Sequence, residues 1–96
     1  MQEEEAPIQQ PISDTLDLHT FKPSEAKDLV QEFLKECKKQ GISNARIVHG
    51  KGVGILQRTV QSVLREIKDV QSFHLAGRNE GSWGATIVYL KNKGTK

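Results

Sequence analysis

The feature that most constrains the fold is a short apolar run that passes through glycines directly into a helical pattern. Ile47 and Val48 lead into His49-Gly50-Lys51-Gly52, and helical periodicity begins at Ile55. Such a junction leaves helix N–H groups without intrahelical partners, and these groups favour anions. The segment is not a Walker P-loop, because its spacing differs and no Ser or Thr follows Lys51. It predicts either a phosphate-binding turn or a tight strand-to-helix connection with a solvated lysine.

The patterns on both sides of this turn predict a β-α-β-α-β-β order. Alternation over residues 15–19 predicts a strand with Leu16 and Leu18 on one face and Asp17 and His19 on the other. Helices are predicted from Pro23 to just before Gly41 and from Ile55, and further strands over 45–49, 70–76 and 85–90. This order predicts an α/β two-layer sandwich, in which a four-stranded mixed sheet carries both helices on one face and leaves the other more open. The expected core includes Leu16, Leu18, Phe33, Val60 and Leu64.

Length and charge set the outer limits of this interpretation. The 96 residues allow one domain. We expect a disordered leader over 1–13, a folded domain over 14–91 and a short basic tail over 92–96. The net charge of +2 neither establishes nor excludes a nucleic-acid partner. No apolar stretch approaches the roughly 20 residues of a membrane span, and the acidic N-terminus does not fit a secretory signal.

The single cysteine, Cys37, bears on the compartment. One cysteine excludes an internal disulfide framework and any cysteine-based zinc cluster. A reducing, cytoplasmic setting fits best. Because Cys37 falls on the apolar stripe of the first helix, we expect a small buried side chain and not a nucleophile.

Several groups suited to phosphodiester chemistry are expected at one edge of the sheet. The carboxyl ends of the first two strands meet there, which brings His19 toward His49 with Asp17 beside it. A histidine moves protons near neutral pH, and a carboxylate orients it or holds a divalent metal such as Mg²⁺ or Mn²⁺. Lys51 and the N–H groups of the turn from Gly50 through Gly52 to Gly54 can stabilise charge on phosphate oxygens. Taken singly, each histidine and Asp17 can equally serve only a local hydrogen bond.

The loop before the last strand adds a second candidate contact. Arg78 and Trp83 lie in it, and an exposed Trp with a nearby Arg can stack an unpaired base and hold phosphate. The alternative is that Trp83 closes the end of the core. His74 has no link to the predicted site and is expected to be an ordinary exposed histidine.

Three motifs together resemble the Smr (small MutS-related) domain family over about Leu16 to Leu90. Leu16-Asp17-Leu18-His19 resembles the opening LDLH motif, His49-Gly50-Lys51-Gly52 the central HGKG motif, and 84–88 the closing GATxV segment. Thr20 departs from the glycine usual after the first histidine and matches free-standing bacterial members. The resemblance implies a fold similar to the C-terminal domain of translation initiation factor three.

The resemblance also implies nucleic-acid binding and, in several relatives, cleavage of DNA or RNA. By position, Asp17 and His19 would take part in cleavage, and His49 to Gly52 in catalysis or substrate contact. It assigns no metal. The leading hypothesis is therefore an endonuclease. The alternative is a non-catalytic DNA- or RNA-binding module in recombination, repair or ribosome-associated quality control, and a third is a domain that recruits a protein through the leader and first helix.

Overall fold

All six predicted elements are present, in the predicted order. The computed structural model describes residues 14–52, 54–77 and 84–91, so the leader, the tail, Arg78 and Trp83 lie outside the described residues. The elements are β1 (Asp14–Asp17), α1 (Pro23–Lys39), β2 (Asn44–Val48), α2 (Ile55–Glu66), β3 (Val70–Leu75) and β4 (Ala85–Leu90). Both helices begin where the sequence predicts. The first three strands end one or two residues earlier than predicted, and both His19 and His49 lie just beyond their strands.

The described strands form one mixed sheet in the order β1-β2-β4-β3. β1 and β2 run parallel, with Leu16 opposite Ile47 and Asp17 opposite Val48. β4 is antiparallel to both of its neighbours. The predicted parallel crossover is therefore confirmed, and the carboxyl ends of β1 and β2 share one edge of the sheet.

Both helices contribute to one hydrophobic core against the sheet. Val30 and Leu34 of α1 meet Val60 and Leu64 of α2 in a cluster that also contains Leu18. The cluster is completed by Ala26, Cys37, Ala45, Ile47, Val63, Val88 and Leu90. Of the expected core residues, Leu16 and Phe33 are only partly buried, because they pack against the rim of this cluster.

The other face of the sheet is more closed along its centre than predicted. Ala76, Ala85 and Ile87 form a second buried cluster, with Val48 and Tyr89 packed against it. Every second residue of β4 is apolar on this side as well, and β4 is an inner strand, so Ile87 is fully buried. His74 is exposed, as expected, and its ring lies 5.7 Å from that of Tyr89.

Cys37 confirms the prediction of a buried thiol, since it is 1% exposed. Burial raises its pKa to about 11, with smaller contributions from the carboxylates of Asp14 and Glu36. A thiol with such a pKa is almost wholly protonated at neutral pH and is a poor nucleophile. Within the described residues, no helix combines the length and apolar character needed to cross a membrane.

Candidate active site

His19 and Asp17 form a hydrogen-bonded pair where β1 ends. Nδ1 of His19 lies 2.6 Å from Oδ1 of Asp17, and the backbone N–H of His19 donates to the same oxygen at 3.0 Å. Because a carboxylate only accepts hydrogen bonds, Nδ1 carries the ring proton and donates it. In the neutral ring, Nε2 is then the nitrogen with a free lone pair. Within the described part of the chain, no protein group hydrogen-bonds to Nε2.

The same contacts hold Asp17 in its ionised form. The side-chain hydrogen bond from His19 is the main cause that lowers the pKa of Asp17 below its ordinary value, and the backbone hydrogen bond acts in the same direction. Both side chains are 56% exposed, so water screens the pair and its contribution to stability is small. The main consequence is orientation: the imidazole is held with one nitrogen on Asp17 and the other turned away from it.

His49, by contrast, is buried and has both ring nitrogens occupied within the protein. Nδ1 lies 3.0 Å from the Gly50 carbonyl oxygen, and Nε2 lies 2.9 Å from Oγ1 of Thr86 on β4. A carbonyl only accepts, so Nδ1–H donates to Gly50, and the Thr86 hydroxyl donates to Nε2. The Gln61 amide of α2 in turn donates to Thr86 at 3.5 Å. This relay ties the glycine turn to β4 and α2.

Burial sets the charge state of His49. It lowers the pKa of the imidazole below its ordinary value, and the hydrogen bond to the Gly50 carbonyl only partly opposes this effect. His49 is therefore neutral at neutral pH, which is the form that the relay requires, since Nε2 must accept from Thr86.

The turn after β2 needs glycine for its backbone conformation at Gly50, and it passes beside His19. Gly50 has φ +84°, and a Cβ placed on it would lie 3.5 Å from Cβ of His19. The backbone N–H groups of His49 and Gly50 both donate to the carbonyl of Gly84, at 2.9 and 2.8 Å. A Cβ on Gly84 would lie only 3.1 Å from Cγ of Lys51, so the lysine stem runs directly over this glycine. The turn is thus held between β1 and the start of β4.

α2 presents its N-terminus to the same region. Gly54 caps the helix with φ +90°, no side chain caps it, and its first turn contains no acidic residue. The first N–H groups of a helix have no intrahelical acceptor, and the helix dipole places partial positive charge there. An anion at this position would be stabilised both by these N–H groups and by the helix dipole.

These parts enclose an open cleft of about 480 Å³. His19, His49, Gly50, Gly52 and Gly54 line it, together with Phe21, Pro23, Ile55, Leu56 and Gln57. Phe21 is 42% exposed and Ile55 is 51% exposed, so the cleft has apolar walls beside its polar groups. The imidazole of His19, backbone N–H groups that can bind an anion, and the exposed Phe21 side chain therefore border the same cleft.

A divalent metal at this site would have one carboxylate, that of Asp17, which contacts His19 beside the cleft. Asp17 has a second oxygen beyond the one bonded to His19, and Mg²⁺ is commonly held by one or two carboxylates with water and substrate phosphate. Among residues 14–52, 54–77 and 84–91, no three His, Cys, Asp or Glu side chains group as a metal site. The residues present fit an ion shared with substrate, not one held by the protein alone.

The structure brings together most of the site residues predicted from the sequence. His19, His49 and the three glycines line the cleft, Asp17 is bonded to His19, and Lys51 is exposed in the same turn. Two groups of residues were not predicted from the sequence. Thr86, Gln61 and Gly84 hold the turn, and Phe21 and Ile55 line the walls of the cleft. One signal was available: Thr86 is a hydroxyl in a mainly apolar strand, and a buried hydroxyl needs a partner.

Comparison with known proteins places this arrangement in a family. A family model described as the Smr domain matches residues 16–91. Endonuclease MutS2 of Carboxydothermus hydrogenoformans is 40% identical over 76 residues, which are 79% of this chain and 10% of the relative. Endonuclease MutS2 of Finegoldia magna is 36% identical over 80 residues, 83% of this chain and 10% of the relative. The chain thus spans about a tenth of the length of these relatives.

Solved structures agree with the family match. The Smr domain of Thermus thermophilus MutS2 superposes with a TM-score of 0.79 at 37% identity, covering 82% of this chain and 99% of that one. YdaL, a stand-alone small MutS-related protein from Escherichia coli, gives 0.75 at 30% identity, covering 80% of this chain and 63% of that one. The motif resemblance and the predicted two-layer fold are confirmed. The chain belongs to the Smr domain family.

Proposed function

We propose that this Smr domain is an endonuclease that binds DNA or RNA in the cleft and cleaves a phosphodiester bond there. The observation that carries the proposal is the 2.6 Å hydrogen bond between Asp17 and His19, which leaves Nε2 of His19 as the nitrogen that can exchange a proton with substrate. The relatives named endonuclease MutS2 support the same class of reaction. The phosphate lies against the glycine turn and the N-terminus of α2, where backbone N–H groups and the helix dipole stabilise its charge.

His19 is the proton-transfer group in this proposal. With Nδ1–H held by Asp17, neutral Nε2 accepts a proton from the attacking hydroxyl group, which is water or, in RNA, the adjacent 2′-OH, as its oxygen bonds to phosphorus. The P–O bond to the leaving oxygen breaks, and the imidazolium, stabilised by the Asp17 carboxylate, returns the proton to that oxygen. Lys51 stabilises charge on the non-bridging oxygens. The exposed ring of Phe21 gives an adjacent base a surface on which to stack.

The buried relay indicates a positioning role for His49. Its two nitrogens contact Gly50 and Thr86, so in this proposal it holds the glycine turn in place and does not exchange protons with substrate. The sequence-based prediction that His49 takes part in catalysis or substrate contact stays a prediction. A bound Mg²⁺ or Mn²⁺ would use the Asp17 carboxylate and polarise the phosphate, and EDTA tests that contribution.

Replacement of Asp17 by Asn tests this proposal. An amide keeps the size of the side chain but can donate to Nδ1 and so favour the wrong ring tautomer. We expect cleavage of a supercoiled plasmid or a structured RNA to slow by about 10²- to 10⁴-fold while binding persists. Asp28→Asn, at an exposed carboxylate of α1, is the matched control and should cleave normally.

Three results would separate the alternatives. Equal cleavage by Asp17→Asn and wild type would contradict the assigned pair. Binding by every variant with no cleavage by any of them, with or without added Mg²⁺ or Mn²⁺, would indicate a non-catalytic binding module. No salt-dependent binding to either nucleic acid would favour a protein-recruiting domain, because phosphate contacts release counterions.

A further inference from the structure

A second groove adjoins the candidate active site on the helical layer. It has a volume of about 400 Å³ and lies between α1 and α2. Lys27 of α1 and Arg58, Thr59, Ser62, Val63 and Glu66 of α2 line it. None of these residues belongs to the cleft, but Lys27 lies four residues after Pro23 and Thr59 four residues after Ile55, and both Pro23 and Ile55 line the cleft. Residues four apart lie on the same face of a helix, so the groove begins about one turn beyond the cleft on each helix.

Some of the lysines and arginines of the two helices contact a carboxylate or an aromatic ring, and the others do not. Lys35 and Lys39 each lie 3.7 Å from a carboxylate oxygen, of Glu32 and Glu36 respectively. Lys38 pairs with Asp69 at 2.5 Å, and the guanidinium of Arg65 lies 6.0 Å from the centre of the Phe73 ring. These cations lie in the C-terminal halves of their helices.

Lys27 and Arg58 are the other two cations of these helices, and both line the groove. Neither has an ion-pair or ring partner in the described part of the chain. Both are exposed and lie in the N-terminal halves of α1 and α2. Two exposed cations without ion-pair partners, at the end of the groove nearest the cleft, complement a polyanion better than a neutral partner.

We propose that Lys27 and Arg58 bind backbone phosphates of the nucleic-acid segment that flanks the scissile bond. This inference rests on the proposed function, which places the scissile phosphate in the cleft. The hydroxyl of Ser62, one turn after Arg58, supplies a neutral donor on the same wall. Contacts of this kind fix the position of the strand and carry no base specificity.

Glu66 limits the length of this contact. It lines the groove eight residues after Arg58, about 12 Å along the helix axis. A carboxylate repels phosphate, so the favourable part of the groove is the end nearest the cleft. The nucleic acid would therefore leave the groove toward solvent before it reaches the C-terminal end of α2.

The test is the salt dependence of binding by Lys27→Gln/Arg58→Gln to a short DNA duplex and to an RNA hairpin. Fluorescence anisotropy would give the Kd between about 50 and 200 mM salt. On duplex DNA the slope of log K against log salt should fall in magnitude by about 1.8, that is about 0.9 for each lost contact. The two probes show whether DNA, RNA or both occupy the groove.

The matched control is Lys35→Gln/Lys39→Gln, which removes the same two charges from cations already paired with glutamates. Its slope should stay near that of wild type. Equal slopes for wild type and Lys27→Gln/Arg58→Gln would overturn the inference, and so would equal reductions in both double variants. A wild-type protein that binds neither probe would overturn the proposed function together with this inference. Thermal melts verify that each variant is folded.

Discussion

Replacement of Thr86 by Val tests the relay that holds the glycine turn. Thr86 is fully buried, and its hydroxyl donates to Nε2 of His49, which is itself only 4% exposed. Val has nearly the shape of Thr but no hydroxyl, so the substitution removes the hydrogen bond with little change in volume. Nε2 of His49 is then a buried acceptor without a donor.

The expected cost follows from that unpaired acceptor. A buried polar group left without its partner destabilises a protein by about 1–3 kcal/mol. For a domain of this size each kcal/mol lowers the Tm by about 4–8 °C. Gln61 also loses its acceptor, but it is only half-buried and can turn to water, so it adds little.

Urea unfolding of a double-mutant cycle with His49→Ala isolates this hydrogen bond. If Thr86→Val acts by leaving Nε2 of His49 without a donor, it should destabilise the protein much less in the His49→Ala background, with a coupling free energy of about 1 kcal/mol or more. Additive costs, within about 0.3–0.5 kcal/mol, would refute the reasoning. They would mean that Thr86 contributes through packing alone.

Three further predictions concern pH, backbone conformation and thiol reactivity. The pKa of His49 is lowered in the folded state, so its contribution to stability is present above the ordinary histidine pKa and is lost as pH falls through the lowered value. The free energy of unfolding of the wild type should therefore fall between about pH 7 and 5, and that of His49→Gln should fall less. Gly50→Ala and Gly41→Ala, at residues with φ +84° and +75°, should each cost about 1–2 kcal/mol. Only Gly50→Ala should also slow cleavage, because the strained turn lies in contact with His19, and equal cleavage by the two variants would contradict this. Cys37 should react with a thiol reagent only as fast as the domain opens, and rapid labelling of the native protein would contradict its burial.

The sequence predicted the elements well because their signals are local. The spacing of apolar residues gave both helix starts, and Pro23 and Gly54 mark them in the structure as well. The parallel pairing of β1 with β2 follows from their strand–helix–strand order. Asp17 and His19 are two residues apart, so their contact too was within reach of the sequence.

Contacts between distant segments could not be predicted in the same way. Thr86 reaches His49 across 37 positions, and that contact depends on the antiparallel register of β4 with β2. The pairing of Lys38 with Asp69 depends on how α1 crosses the end of α2. The buried state of Ile87 requires that β4 be an inner strand, and periodicity alone does not state strand order.

The most direct test of the central claim is the cleavage rate of His19→Ala beside that of His74→Ala. Both remove an exposed histidine, but only His19 lines the cleft and is bonded to Asp17. With protein in excess over a plasmid or structured RNA, His19→Ala should be slower than wild type by about 10²- to 10⁴-fold while still binding, and His74→Ala should match wild type. Cleavage by His19→Ala at the wild-type rate would contradict the account.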